Sequence, residues 1–85
     1  MKRYLVSVAP AVQKQLKRIP KNDSQKILKK INSLSLEPRP HGYKELVGYK
    51  GFFRVRVGNY RIIYNIHDQI LTVYVLEVTD RRDAY

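Results

Sequence analysis

The C-terminal half of the chain alternates apolar and polar residues with a period of two, and this alternation constrains the fold more than any other feature. Residues 52–57 alternate, a Gly-Asn pair follows at 58–59, and residues 60–66 alternate again. Gly-Asn suits a two-residue hairpin turn, whose backbone needs positive φ angles. A polar turn at 67–69 then precedes residues 70–78, which are rich in β-branched side chains. The pattern predicts a meander of three antiparallel strands.

The N-terminal half predicts one strand and two short helices. Residues 2–8 alternate as a strand does, and Pro10 stands where a first helical position tolerates proline. A first amphipathic helix follows and ends at Pro20. The second helix is expected to be capped by the polar residues at 22–24. Its apolar face is expected to bury Ile27, Leu28, Ile31 and Leu34.

Together these elements predict an α+β fold with the order β-α-α-β-β-β. In this fold an antiparallel sheet carries a helical hairpin packed on one face, and residues 1–85 form a single small domain. Between the helices and the meander, residues 37–42 contain two prolines and a glycine and predict a loop. The stretch 43–51 fits no regular element clearly.

The charge balance indicates the kind of partner. Seventeen Lys and Arg face seven Asp and Glu, which gives a formal net charge of +10. Such an excess favours nucleic acid as the partner, then an acidic protein, then a membrane surface. No cysteine is present, and the two histidines are far apart in sequence, so no metal site and no cofactor are expected. No apolar run approaches the roughly 20 residues that span a bilayer, which favours a soluble, intracellular protein.

The period of two in the predicted strands indicates which arginines lie together on one face of the sheet. Arg54 and Arg56 share one face of the first hairpin strand. If the apolar residues of both hairpin strands face the helices, Arg61 of the second strand lies on the same face as these two arginines. In the last strand, parity groups Glu77 with Val73 and Val75, and it allows Glu77 on the arginine face. Tyr74 has the other parity, which it shares with aliphatic residues, and is expected to pack in the core or on the sheet. Neighbouring guanidinium groups repel one another, so an anion between them is the simplest compensation. Each planar guanidinium fork matches two phosphate oxygens, and the set therefore predicts contact with an RNA backbone.

Two stretches of the sequence carry a resemblance to a known family. Residues 54–64 are RVRVGNYRIIY and residues 75–85 are VLEVTDRRDAY. They resemble the RelE/ParE superfamily of bacterial toxins, and its RelE branch in particular. The resemblance implies the toxin of a type II toxin–antitoxin system, a ribosome-dependent endoribonuclease (mRNA interferase) that cuts mRNA in the A site without a metal. It also implies a RelB-like antitoxin with an acidic or amphipathic segment as partner, and a cytoplasmic location.

The same resemblance implies roles for five residues. Arg54 and Arg56 fall where the family places basic residues around the scissile phosphate. Arg61 matches an arginine that stabilises the charge developing on that phosphate, and Arg81 one that assists the leaving 5′ oxygen. Tyr85 matches a C-terminal tyrosine that orients the base or the 2′-OH. Arg82, Lys50 and Lys44 are additional candidates for RNA contacts.

The general base is open at this point, because relatives often carry lysines where this chain has Arg54 and Arg56, and arginine does not give up its proton. Glu77, Tyr85 as a phenolate, and His41 are the candidates, in that order. Two other functions also fit the sequence. One is a ParE-like, non-enzymatic inhibitor of DNA gyrase, and the other is a basic RNA-binding module without activity.

Overall fold

The computed structural model describes residues 3–80, in which five strands form one sheet with two helices. The elements, in chain order, are β1 (Leu5–Val8), α1 (Pro10–Arg18), α2 (Lys21–Ser33), β2 (Lys44–Glu45), β3 (Phe52–Val57), β4 (Tyr60–His67) and β5 (Thr72–Asp80). The sheet order is β1-β5-β4-β3-β2. Its neighbours pair antiparallel, except that β1 runs parallel to β5. The predicted α+β class, with the helices on one face of the sheet, is confirmed.

The core lies between the two helices and one face of the sheet. It is made of Val12, Ile27, Ile31, Leu34, Val55, Tyr60, Ile62, Tyr64, Val73, Val75 and Val78. The prediction that Leu28 belongs to this core is wrong, since its side chain is 42% exposed. Successive helical residues are rotated by about 100°, so α2 cannot turn Ile27, Leu28 and Ile31 equally toward the sheet.

Proline sets the boundary between the two helices. Ile19 is extended, with ψ 140°, because a residue before proline avoids the helical region, and α1 therefore ends at Arg18. The expected cap at Asn22-Asp23-Ser24 is wrong, because α2 begins at Lys21 with Pro20 as its N-cap. The Pro20 carbonyl accepts a hydrogen bond of 2.9 Å from the backbone N–H of Ser24. The helix thus starts directly at the proline, and its first polar residues lie inside it.

Several strand boundaries differ from those predicted. The first strand begins at Leu5 rather than at residue 2, and a two-residue strand, β2, lies within the stretch 43–51 that fitted no element. The last strand begins at Thr72 rather than Ile70, because Asp68–Ile70 form a 3₁₀ turn and Leu71 adopts a left-handed conformation with φ 49°. It continues to Asp80, two residues beyond its predicted end.

A β-bulge in β5 changes the predicted sorting of that strand. Ile63 lies opposite Glu77, whereas the next residue, Tyr64, lies opposite Val75, so Leu76 is an extra residue. Because of this extra residue, Val75 and Val78 both point to the core although they are three positions apart. The expectation that Val73 and Val75 share a face with Glu77 is therefore wrong. Glu77 itself does lie opposite Ile63, on the face away from the helices.

A polar cluster ties the loop before β2 to the far end of the sheet. Arg39 forms a two-pronged ion pair with Asp68, at 2.8 and 3.2 Å, and the Tyr4 hydroxyl donates to the same carboxylate at 2.6 Å. The Tyr64 hydroxyl donates to the Pro38 carbonyl at 2.8 Å. This loop is thus held at the end of β4 that lies away from the β3–β4 turn. Within residues 3–80, no helix combines the length and apolar character needed to cross a membrane.

Candidate nucleic-acid interface

The face of the sheet turned away from the helices, called the open face below, carries most of the polar residues of the central strands. Its central members are Lys44, Phe52, Arg54, Arg56, Arg61, Ile63, Asn65, Tyr74, Glu77 and Thr79. They alternate along their strands with residues that pack into the core, such as Val55 and Ile62. Directly opposite residues on neighbouring strands point to the same side of a sheet, so the strand register arranges these residues in rows.

The row nearest the β3–β4 turn brings two arginines face to face. Arg56 lies directly opposite Arg61, and Arg61 lies opposite Thr79. Directly opposite residues of an antiparallel pair have their Cα atoms about 4.5–5.5 Å apart. Arg56 is exposed and Arg61 is half-buried. Two like charges in this position destabilise a sheet unless an opposite charge compensates them, so an anion that contacts both side chains would be stabilising.

The next row adds two cations and one carboxylate. Lys44 lies opposite Arg54, Arg54 opposite Ile63, and Ile63 opposite Glu77. Arg54 and Glu77 each stand diagonally to Arg61, which places them about 7–8 Å from it. The prediction that Arg54, Arg56 and Arg61 converge on one face is confirmed by this register. Lys44 joins them through β2, a strand of two residues that is too short for its alternation to be recognised in sequence.

Glu77 is the candidate general base that the register places among these cations. It is exposed, and it makes no ion pair with any residue of the part of the chain that the structure describes. His41 is exposed in the loop that the Arg39–Asp68 ion pair anchors at the opposite end of β4. Lys50 is exposed in the turn before β3 and belongs to neither row.

A basic groove continues from the open face around the edge of the sheet. β2 pairs with Phe53 and Arg54 of β3, and the Leu46 N–H donates to the Phe52 carbonyl at 2.8 Å, so β2 leaves the edge uncovered from Arg54 toward the β3–β4 turn. The groove there has a volume of about 340 Å³. It is lined by Lys26, Lys29, Lys30, Ser33, Arg56 and Val57. Arg56 therefore belongs both to the open face and to a surface that α2 supplies, a connection that a helical pattern of exposed lysines does not reveal by itself.

The comparison with a family model decides the family. The model of the ParE toxin of type II toxin–antitoxin systems, parDE, matches residues 6–85. The chain belongs to the RelE/ParE superfamily of type II toxins. Comparison with curated proteins gives no match.

Solved structures of this superfamily share the fold of this toxin. A chain of the archaeal RelE–RelB complex from Pyrococcus horikoshii is 28% identical with a TM-score of 0.84, and the match covers 99% of this toxin and 100% of that chain. A chain of the RelBE2 toxin–antitoxin complex from Mycobacterium tuberculosis is 30% identical with a TM-score of 0.82, covering 95% and 94%. The isolated Escherichia coli RelE toxin, at 19% identity and a TM-score of 0.77, covers 91% and 83% and shows the fold alone.

Three residues that the resemblance implicates lie outside the described part of this toxin. They are Arg81, Arg82 and Tyr85. β5 ends at Asp80, one residue after Thr79, which lies opposite Arg61. The described part of the chain therefore ends beside the facing arginines.

Proposed function

We propose that this toxin cleaves mRNA in the ribosomal A site by a metal-independent attack of the RNA 2′-OH on the adjacent 3′ phosphate. The observation that carries the proposal is the direct pairing of Arg56 with Arg61, with Arg54 on the diagonal. A site with three guanidinium groups and one exposed carboxylate matches a phosphate whose negative charge increases during the reaction. The open face of the toxin would lie against the mRNA, and the site of action would be the cytoplasm.

The 2′-oxygen attacks phosphorus in line, and the 5′ oxygen of the next nucleotide leaves, which gives a 2′,3′-cyclic phosphate and a 5′-OH. The protein's part in this step is positioning and electrostatic stabilisation. Arg54 and Arg56 hold the phosphate, and Arg61 stabilises the charge on its non-bridging oxygens. Arg81 stabilises the negative charge on the leaving 5′ oxygen, which takes its proton from water, and Tyr85 orients the nucleotide.

Glu77 is the residue that we propose to accept the 2′-OH proton. The register supports this role, because Glu77 stands in the same row as Arg54 and on the diagonal from Arg61. A carboxylate is the only group among the proposed catalytic residues of the open face that accepts a proton at neutral pH. His41 fits the role less well because its loop is anchored at the other end of the sheet.

The test is cleavage of mRNA on translating ribosomes, mapped by primer extension. Arg61→Ala is expected to lower the rate by about 10²–10³, the usual cost of one charge-stabilising donor. Lys14→Ala serves as the matched control, because Lys14 is an exposed cation on α1 and its loss should leave the rate unchanged. Equal rates for Arg61→Ala, Arg81→Ala and the wild type would contradict the proposal.

A second candidate function is favoured by one specific observation, the match to the family model of ParE. In this alternative the toxin is a non-enzymatic inhibitor of DNA gyrase. Gyrase supercoiling assays with the purified toxin separate the two functions. Inhibited supercoiling together with intact mRNA on translating ribosomes would establish the alternative.

A RelB-like antitoxin is the partner that we propose for this toxin. The archaeal and mycobacterial neighbours come from complexes of a toxin with an antitoxin. With a net charge of +10 here, an acidic antitoxin segment would neutralise the arginines of the open face, or an amphipathic helix would lie along the helical hairpin. Co-expression with a small acidic protein encoded beside the toxin should yield a stable complex without nuclease activity.

A further inference from the structure

The open face has a third row that the proposed chemistry does not use. Phe52 lies directly opposite Asn65, and Asn65 directly opposite Tyr74. All three side chains are half-buried, and none belongs to the core cluster or to the residues that pack against it. The sequence predicts that Tyr74 packs in the core or on the sheet, and the structure excludes it from the core, because Val73 and Val75 on either side of it take the core positions.

We propose that Phe52, Asn65 and Tyr74 form a binding slot for one RNA base, next to the arginines that hold the phosphate. The inference rests on the proposed function, since it assumes that RNA lies on the open face, and it goes further by naming how a base is held. Its occupant is a single unpaired nucleobase of the mRNA.

The spacing of the two aromatic residues fits a base between them. Neighbouring strands lie about 4.7–4.9 Å apart, so the side chains of Phe52 and Tyr74 arise about 10 Å apart with the smaller Asn65 between them. A flat base in van der Waals contact with a ring on each side needs two gaps of about 3.5–4.0 Å. The rings therefore need to tilt only slightly toward each other to hold a base between them, with one edge of the base facing the sheet.

Asn65 supplies the second, independent observation. Its Oδ1 is buried, and it accepts no hydrogen bond from the part of the chain that the structure describes. Buried polar atoms are almost always paired, so an unpaired acceptor needs an explanation. The amide carries one acceptor oxygen and a donor NH₂ group, and rotation of the side chain toward the slot would bring both to the edge of a base. A side-chain amide pairs best with the N6 and N7 edge of adenine.

Charge on the neighbouring rows favours RNA over other occupants. The row of Lys44 and Arg54 is two residues along the strands from the slot, or about 7 Å. A phosphate held by Arg54 and a base held in the slot can therefore belong to the same or to adjacent nucleotides. Aromatic residues on an open sheet face beside cations are a common means of binding single-stranded RNA.

The experiment measures binding of the labelled toxin to ribosomes programmed with an mRNA that carries 2′-O-methyl groups at the A-site codon, so that no cleavage occurs. An abasic residue is placed in turn at each position of that codon. For the wild type, one position should weaken binding about 10- to 100-fold, the usual contribution of one stacked base. For the double variant Phe52→Leu/Tyr74→Leu, binding should be weaker with intact mRNA and should show no further loss at that position.

Two matched variants control for folding and for the loss of any aromatic residue. Tyr49→Leu removes an aromatic side chain that is 64% exposed in the turn before β3, and it should keep the wild-type pattern of abasic effects. The double variant Phe52→Tyr/Tyr74→Phe keeps both aromatic rings and should also show the wild-type pattern of abasic effects. Asn65→Ala should abolish a roughly tenfold preference for adenine over uracil at the sensitive position.

The outcomes separate the slot from the proposed function. If the wild-type toxin does not bind programmed ribosomes, the proposed function fails and the slot fails with it. If the wild type binds and cleaves, but the double leucine variant retains the same abasic pattern, only the slot is overturned. The slot is also overturned if the variants weaken binding of an antitoxin while binding to mRNA is unchanged, since the row would then belong to a protein interface.

Discussion

Tyr64 shows how one buried residue connects the core to the stability of the fold. Its side chain is fully buried, and its hydroxyl donates to the Pro38 carbonyl. Burial, followed by the nearby Tyr43, raises the pKa of the Tyr64 phenol to about 12, while Arg39 acts in the opposite direction. A tyrosine in the unfolded chain has a pKa of about 10. The folded state therefore opposes ionisation of this residue.

Because the pKa is raised in the folded state, the contribution of Tyr64 to stability is fully present below about pH 10 and is lost as the pH rises toward about 12. Tyr64→Phe should cost about 1 kcal/mol at pH 8, through the lost hydrogen bond. It should also lose less stability than the wild type between pH 8 and pH 11, as measured by urea unfolding. Tyr49→Phe, at an exposed tyrosine, is the control. An equal pH dependence in both variants would contradict this account.

At the residue scale, the directions of the arginines could be predicted, whereas the polar contacts of the loop could not. The side chains of Arg54, Arg56 and Arg61 alternate locally with apolar neighbours, so a period of two was sufficient to place them. The carboxylate of Asp68 binds Arg39 and Tyr4, which are 29 and 64 positions away. No local pattern marks those pairs, because each depends on the packed fold.

The β-bulge in β5 is the element that sets the position of Glu77. Leu76 is the extra residue, and Val73, Val75 and Val78 point to the core on either side of it. A strict alternation cannot describe this strand, which is why sequence parity assigned two of its valines to the wrong face. The bulge also increases the local twist of a strand, and it lies directly beside the row that holds Glu77.

Deleting Leu76 should regularise β5, because the remaining residues alternate correctly between the core and the open face. We expect the variant to fold, with a loss of stability below about 3 kcal/mol. It should cleave mRNA more slowly, because loss of the bulge changes the direction of the Glu77 side chain. Deleting Tyr74 is the control. That change moves the fully buried Val73 or Val75 to the open face and should cost more stability. Thermal unfolding of both variants tests the expectation, and equal stabilities would contradict it.

Helix α2 should strengthen RNA binding through the groove that it forms with β3. Replacing Lys26, Lys29 and Lys30 with glutamine should weaken binding of a single-stranded oligoribonucleotide. Each lost phosphate contact should reduce the slope of log K against log salt by about 0.7. Glutamine at Lys14, Lys17 and Arg18, which are exposed on α1, is the matched control. The groove has no role in RNA binding if the two triple variants lower the slope equally.

At the scale of the whole molecule, the order of the longer elements and the three-stranded meander could be predicted, whereas β2 and the place of β1 in the sheet could not. Helical and strand periodicities are local, and they correctly indicated two helices on one face of a sheet. The parallel pairing of β1 with β5 joins the two ends of the described chain. That pairing depends on which hydrophobic faces meet after the helical hairpin folds back, so it is a property of the assembled core.

At this scale, the fold alone does not determine the function. RelE-like neighbours and the ParE family model both match this chain, so the shared fold supports more than one activity. Function has to be argued from the site. Here the facing Arg56 and Arg61, with Arg54 and Glu77 on the diagonals of Arg61, are the features that favour phosphate chemistry.

The most direct test of the central claim uses translating ribosomes programmed with two mRNAs that differ only by a 2′-deoxy substitution at each nucleotide of the A-site codon. If the arginines stabilise attack by the RNA's own 2′-oxygen, the toxin should cut the all-ribose mRNA to a 2′,3′-cyclic phosphate and a 5′-OH. It should leave the substituted mRNA intact while still binding it. Cleavage of the 2′-deoxy mRNA, or no cleavage of either mRNA by a toxin that inhibits growth, would contradict the account.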